Sequence, residues 1–168
     1  SILERETDFE VTRAAAEALG RIGDDASAKK LARLALGAGP KRLAVMSALG
    51  ECRRTVAANA LSKLAKTADE AQLLIVTKNL GTVGNSWAWQ TADISKSGEG
   101  AQVRSIAARA LLEVFVKHQG LVRSKAERAL LVVDDPSTPA LIAAAKQGAN
   151  ADGARALDSL SAQIAKNP

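Results

Sequence analysis

The sequence predicts an all-α chain folded as a right-handed α-solenoid of about five helical pairs. Three observations predict it. First, Ala18-Leu19-Gly20 returns as Ala48-Leu49-Gly50, Asn79-Leu80-Gly81 and Ala110-Leu111-Leu112, with steps of 30, 31 and 31 residues between the leucines. A constant step of that size marks stacked repeats. Second, 35 of the 168 residues are alanine and only 2% are aromatic. Small side chains of high helix propensity let helices approach closely. Third, the residues around each leucine divide into two faces. Five residues before it stand Ala14, Ala44, Ile75 and Ile106; one before, Ala18, Ala48, Asn79 and Ala110; three after, Ile22, Cys52, Val83 and Val114. These offsets share one side of a helix and are apolar but for Asn79, whereas the offset of two before holds Glu17, Ser47, Lys78 and Arg109.

The elements follow in order. Thr7-Asp8-Phe9-Glu10 has the form of a capping box and opens a helix that runs to Ile22 and stops at Gly23-Asp24-Asp25. A helix over 26–36 ends at Gly37-Ala38-Gly39, and Pro40 suits the first turn of the next, over 40–53. One over 56–66 follows, then Thr67-Ala68-Asp69-Glu70 offers a second capping box for 68–82. Gly84-Asn85 and 95–100 bracket a shorter segment holding Trp87 and Trp89. Helices over 101–118 and 122–133 are separated by Gly120, and the second stops at Asp134-Asp135-Pro136. There Ser137 or Thr138 caps and Pro139 opens the next helix, which Gly148-Ala149-Asn150 divides from a last one over 152–165. This makes ten helices in one continuous domain over residues 1–168.

Composition bounds the function. With 24% charged and 47% hydrophobic residues the chain reads as globular, and no apolar run reaches the ~18 residues of a membrane span. The single cysteine, Cys52, excludes an internal disulfide and falls in an apolar column, where it reads as an inert packing residue. That usage fits a reducing compartment, which favours the cytoplasm slightly. Ser1-Ile2-Leu3-Glu4 lacks an initiating Met and is no signal peptide, as expected of a processed form or a piece of a longer chain. The net charge of +5 is uneven: residues 1–25 carry seven acids against three bases, and 26–66 carry nine bases against Glu51 alone. There is no phosphate-cradling glycine loop, zinc spacing or nucleophile–base signature, so no enzymatic activity, cofactor or metal is expected.

The stretch from Val11 through Thr12, Arg13, Ala14, Ala18-Leu19-Gly20 and Ile22 to Asp24 resembles the inner helix of a HEAT repeat, of the short bacterial type also found in phycobilisome lyases. Residues 102–111, with Val103 and Arg104, echo it. The repeats at Leu49 and Leu80 keep the apolar columns but lack the Val-x-Arg opening. The resemblance implies a scaffold or adaptor whose inner helices, over 8–22, 40–53, 68–82 and 101–118, line a concave surface for a partner protein, an acidic one among them. Arg13, Arg42, Lys78 and Arg109 are the candidate contacts on those helices. A second reading is duplex DNA binding, with Lys41, Arg42, Arg53 and Arg54 on phosphates and Trp87 or Trp89 near the bases. A third, a bilin lyase or its chaperone, rests on the repeat subtype alone.

Each candidate has a plainer reading beside it. Lysine-rich helices often point their charges in several directions, which would leave the 26–66 stretch without a focus. Trp87 and Trp89, two residues apart on a helix, differ by about 200° and cannot share one buried face. At least one of them is expected to be exposed or in a groove, as a binding anchor; alternatively the irregular 85–100 segment bends so that both rings fill a gap in the alanine-rich core. Asn79 is expected to hydrogen-bond a neighbouring turn, and His118, near a helix end, to complement the helix dipole.

Overall fold

Short polar side chains start several of the helices. In the computed structural model, which describes residues 2–5, 8–37, 39, 41–90 and 98–167, Asp8 accepts from the Val11 N–H at 3.0 Å, Asp24 from Ser27 at 2.7 Å, Asp69 from Gln72 at 2.8 Å and Asn150 from Gly153 at 2.9 Å. Each satisfies an amide that has no partner inside its helix. The helices so opened are α2 (Phe9–Ile22), α3 (Asp25–Leu36), α6 (Glu70–Val83) and α11 (Ala151–Ile164). The others are α1 (Ile2–Arg5), α4 (Lys41–Leu49) with a 3₁₀ turn at Gly50–Cys52, α5 (Thr55–Thr67), α7 (Ser86–Gln90), α8 (Gly100–Lys117), α9 (Gly120–Val133) and α10 (Thr138–Lys146). The ten expected helices are present, α1 is additional, and no strand occurs among the described residues.

Two caps shift. Thr7 and Pro40 lie outside the described residues, and Asp8 caps α2. At the second box Asp69 caps α6 while Thr67 closes α5, because a carboxylate competes better than a hydroxyl for the free amides of a helix start.

The helices alternate between two rows. In the first, α2 packs on α4, α4 with its 3₁₀ turn on α6, and α6 on α9. In the second, α3 packs on α5, α5 on α8 and α8 on α10. The first-row helices run the same way, since Gly23 at the end of α2 meets Cys52 and Gly84 at the end of α6 meets Val133. Between the rows lies an aliphatic core that includes Leu31, Leu49, Leu61, Leu64, Leu73, Leu80, Leu111 and Leu130. Each leucine so buried is worth ~1.5–3 kcal/mol relative to exposure.

Here the structure corrects the repeat register. Residues 101–118, expected as a first-row helix, form α8 of the second row, so Leu111 is buried but does not hold the seat of Leu19, Leu49 and Leu80. That seat belongs to Leu130 on α9. The glycine contact supports it: Gly81 lies against Ala129, one before Leu130, as Gly50 lies against Asn79, one before Leu80, and Leu19, Leu80 and Leu130 each stand four residues before the residue that ends the helix. The equivalent residue after Leu49 is Arg53, and Gly23, Arg53 and Asp134 all take left-handed backbone angles (φ 62°, 41° and 46°). The step to the fourth leucine is long because α7 and the residues after it are inserted between α6 and its second-row partner.

A glycine follows the leucine in α2, at the 3₁₀ turn and in α6, and each lies against the next first-row helix. A Cβ on Gly20 would stand 2.7 Å from the Ala48 carbonyl oxygen, and one on Gly50 2.7 Å from Asn79 Oδ1. On Gly81 it would stand 3.2 Å from Ala129 Cβ. Asn79 is buried in the same contact and does make a hydrogen bond, but across the helices rather than to a neighbouring turn: it donates to the Met46 carbonyl within α4 at 3.1 Å.

On an open helix, glycine to alanine adds ~0.5–1 kcal/mol of stability. At these seats the sign reverses: Gly20→Ala and Gly50→Ala are each expected to cost about 1–3 kcal/mol by overpacking. Urea denaturation followed by circular dichroism measures it, and a variant as stable as the parent would show that the seats are not tight.

Candidate functional site

The two tryptophans separate as their spacing demands. On α7, Trp89 is 6% exposed and donates its indole N–H to the Val83 carbonyl at 2.8 Å, while Trp87 is 70% exposed. A Cβ on Gly100 would stand 3.0 Å from the Trp89 ring, so the glycine at the start of α8 makes room for it.

The basic residues of 26–66 do not gather into one free patch. Lys29 pairs with Asp25 at 2.5 Å, and Lys66 stands 3.9 Å from Glu113. Among the candidate phosphate contacts, Lys41 donates to the Leu3 carbonyl at 2.7 Å and ties α1 to the start of α4. Arg42 and Arg53 are half-buried, each with its Nε enclosed and without a hydrogen-bond partner among the described residues. Arg54 donates through Nε to the Gly23 carbonyl at 2.8 Å and pairs with Glu99 at 3.1 Å. Glu99 also accepts the Thr55 N–H at 2.7 Å and the Thr55 hydroxyl at 2.8 Å, so it clasps the start of α5 to the start of α8. Burial raises the Glu99 carboxyl, but the Thr55 donors and Arg54 outweigh it and hold its pKa below the ordinary value.

Other arginines serve helix ends in the same manner. Arg104 donates to the Val133 carbonyl at 3.1 Å and to that of Asp134. Arg123 reaches the Phe115 and His118 carbonyls at 3.0 and 2.8 Å and stacks on the Phe115 ring. Such contacts satisfy the last carbonyls of a helix and oppose its dipole.

The candidate protein contacts are also divided. Arg13 on α2 is held by Glu10 and Glu17 at 2.6 and 2.7 Å. Arg42 stands at the start of α4. Arg109 lies on α8 in the second row, beside a groove against α10 with an apolar floor of Leu112, Val116, Leu141 and Ala145 and a rim of mixed charge, Glu113 and Lys117 included. Lys78 alone falls in a groove of single sign. Between α6 and α9, Leu74, Gly81, Ala129 and Val132 form an apolar floor, and Lys78, Lys125 and Arg128 stand around it, all exposed. No acidic side chain lines this groove, and the three cations make no ion pair among the described residues. Asn85 closes one end, and the Ser86 hydroxyl donates to the Val132 carbonyl at 3.3 Å, so α7 with Trp87 begins at its edge.

Lys125 and Arg128 were outside the sequence-level candidates. The signal that locates them is the second echo of the first repeat, Val122-Arg123 through Ala129-Leu130 to Asp134-Asp135, which sets Arg128 two before its leucine as Lys78 is before Leu80. Cys52 is buried, and burial pushes its thiol up to about 11, which removes the thiolate at neutral pH. No cluster of metal-ligating side chains is found among the described residues, and no helix of the structure is long and apolar enough to cross a membrane.

Two outcomes follow from this geometry. With Trp89→Phe the remaining emission should be red-shifted and readily quenched by acrylamide, and with Trp87→Phe blue-shifted and protected; equal quenching in both variants would contradict the placement. Because the folded-state pKa of Glu99 is depressed, its contribution to stability is complete above the unfolded value and fades as pH falls through the folded one. Unfolding curves between pH 7 and 3 should therefore show a shallower acid loss in Glu99→Gln than in the parent, and parallel curves would exclude the clasp as a contributor. No protein-family model and no curated protein matches this sequence, so its function has to be read from these side chains.

Proposed function

We propose that the chain is a non-catalytic adaptor, a HEAT-like α-solenoid that binds an acidic segment of a partner protein in the groove between α6 and α9. One observation carries this reading: Lys78, Lys125 and Arg128 surround an apolar floor that no carboxylate enters. Cations around a dry floor suit a peptide that alternates acidic with aliphatic or aromatic side chains. The charges steer and orient it, and the apolar side chains supply the burial. Trp87, 70% exposed on α7 and next in sequence to the Ser86 that bonds Val132, offers the amphipathic ring that protein interfaces favour. The solenoid part of the reading is supported by the two rows of helices, as nearest-neighbour stacking of helical pairs expects, and by the glycine contact that recurs between successive first-row helices.

Duplex DNA is the competing ligand. Two of its four proposed contacts are committed elsewhere, Lys41 to Leu3 and Arg54 to Gly23 and Glu99, and the other two, Arg42 and Arg53, are half-buried.

Fluorescence anisotropy with a labelled amphipathic peptide of alternating Glu and Leu, its Lys/Leu counterpart and a labelled 20-base-pair duplex separates the readings. The acidic peptide alone should bind. The Lys78→Glu, Arg128→Glu double variant should weaken it about tenfold at low salt, as two exposed pairs of ~0.2–1 kcal/mol each turn repulsive. Equal binding of both peptides, or an unchanged affinity in the variant, would remove this groove as the site. Tighter binding of the duplex would favour the nucleic-acid reading.

A further inference from the structure

In the first row every helix but one has a face covered by the helix before it. On α4 that face is Ala44, Ala48, Leu49 and Cys52, none more than 2% exposed. On α6 it includes Asn79, Leu80 and Val83, and on α9 Ala129, Leu130 and Val133, none more than 7% exposed. The equivalent residues of α2 are Ala14, Ala18, Leu19 and Ile22. Ala14 and Ala18 are exposed, Leu19 is half-buried and Ile22 is 63% exposed. Val11, one turn earlier on the same stripe, is 47% exposed. A helix that ends a stack needs a polar outer face, because nothing shields it from water. α2 instead keeps the apolar residue types of a covered helix. α1 does not shield this stripe; it is fastened by Lys41 to the α4 side of α2.

We infer that the Val11–Ile22 face of α2 is a docking surface for a further helical pair of this chain's own construction. The occupant lies along α2 in the same direction, as α2 lies along α4, and sets the small residue that follows its core leucine on Ala18. The interface is the continuation of one the chain already builds three times, at Gly20 on Ala48, Gly50 on Asn79 and Gly81 on Ala129. A second copy of the chain is the wrong occupant. Its three glycine seats are filled from within, and α9 carries Leu131 where the others carry glycine.

The test is a full chain in which residues 8–37 are duplicated in tandem, which keeps the 30-residue step between leucines and places the added Gly20 over the original Ala18. Ile22→Cys in the original α2 is then labelled with a maleimide, in the duplicated and the parent chain alike; the native Cys52 thiol is buried in both. Labelling should slow about tenfold or more in the duplicated chain, because the thiol becomes reachable only through local opening. Gly20→Glu in the added copy alone should restore the fast rate. Equal labelling in the duplicated and parent chains would overturn the inference. So would a parent chain that sediments as a dimer with its Ile22→Cys thiol already protected, since a second copy would then be the occupant.

Discussion

The molecule depends on the close approach of successive first-row helices at three glycine seats. Where Gly20 lies on Ala48, Gly50 on Asn79 and Gly81 on Ala129, the absence of a side chain sets the distance between successive first-row helices. That distance in turn explains the composition. Helices this close leave little room between them, so alanine fills the columns on either side of the contact and almost no aromatic ring is used. Asn79 shows how narrow the tolerance is. It is the one polar residue in its column, and it fits because its amide hydrogen-bonds the Met46 carbonyl across the same contact.

Much of the fold was legible in the sequence, and its failure is instructive. Leu19, Leu49 and Leu80 could be equated from spacing alone, but the next equivalent is Leu130 and not Leu111. Helices of both rows need an apolar stripe of the same period, so Val103–Leu111 on α8 imitates the first-row pattern without sharing its seat. The helix end separates them in part. Gly23, Arg53 and Asp134 adopt left-handed angles, Gly84 after Leu80 does not, and of the three only the first is a glycine. Turn chemistry that any reader would notice at Gly23 is therefore hidden at the other two.

The candidate site was less legible because counting charge is not the same as finding free charge. The stretch 26–66 has the larger excess of bases, yet Lys41, Arg54 and Lys29 are occupied with carbonyls or carboxylates. The 117–128 region looks unremarkable in sequence but sends Lys125 and Arg128 to meet Lys78 across a groove. Only tertiary contact between α6 and α9 could bring those three together. The tryptophan pair was the opposite case. Local helical geometry alone decides that Trp87 and Trp89 face apart, and so it could be read in advance.

The clasp of Trp89 on Gly100 has a consequence for how the chain could be divided. The ring and the glycine belong to segments on either side of the connection between α7 and α8, and Glu99 fastens that same junction to Thr55 and Arg54. The two sides of the connection are therefore joined by side-chain packing and hydrogen bonds as well as by the chain. A cut in it would leave those contacts in place while removing the effective concentration that an intact peptide supplies.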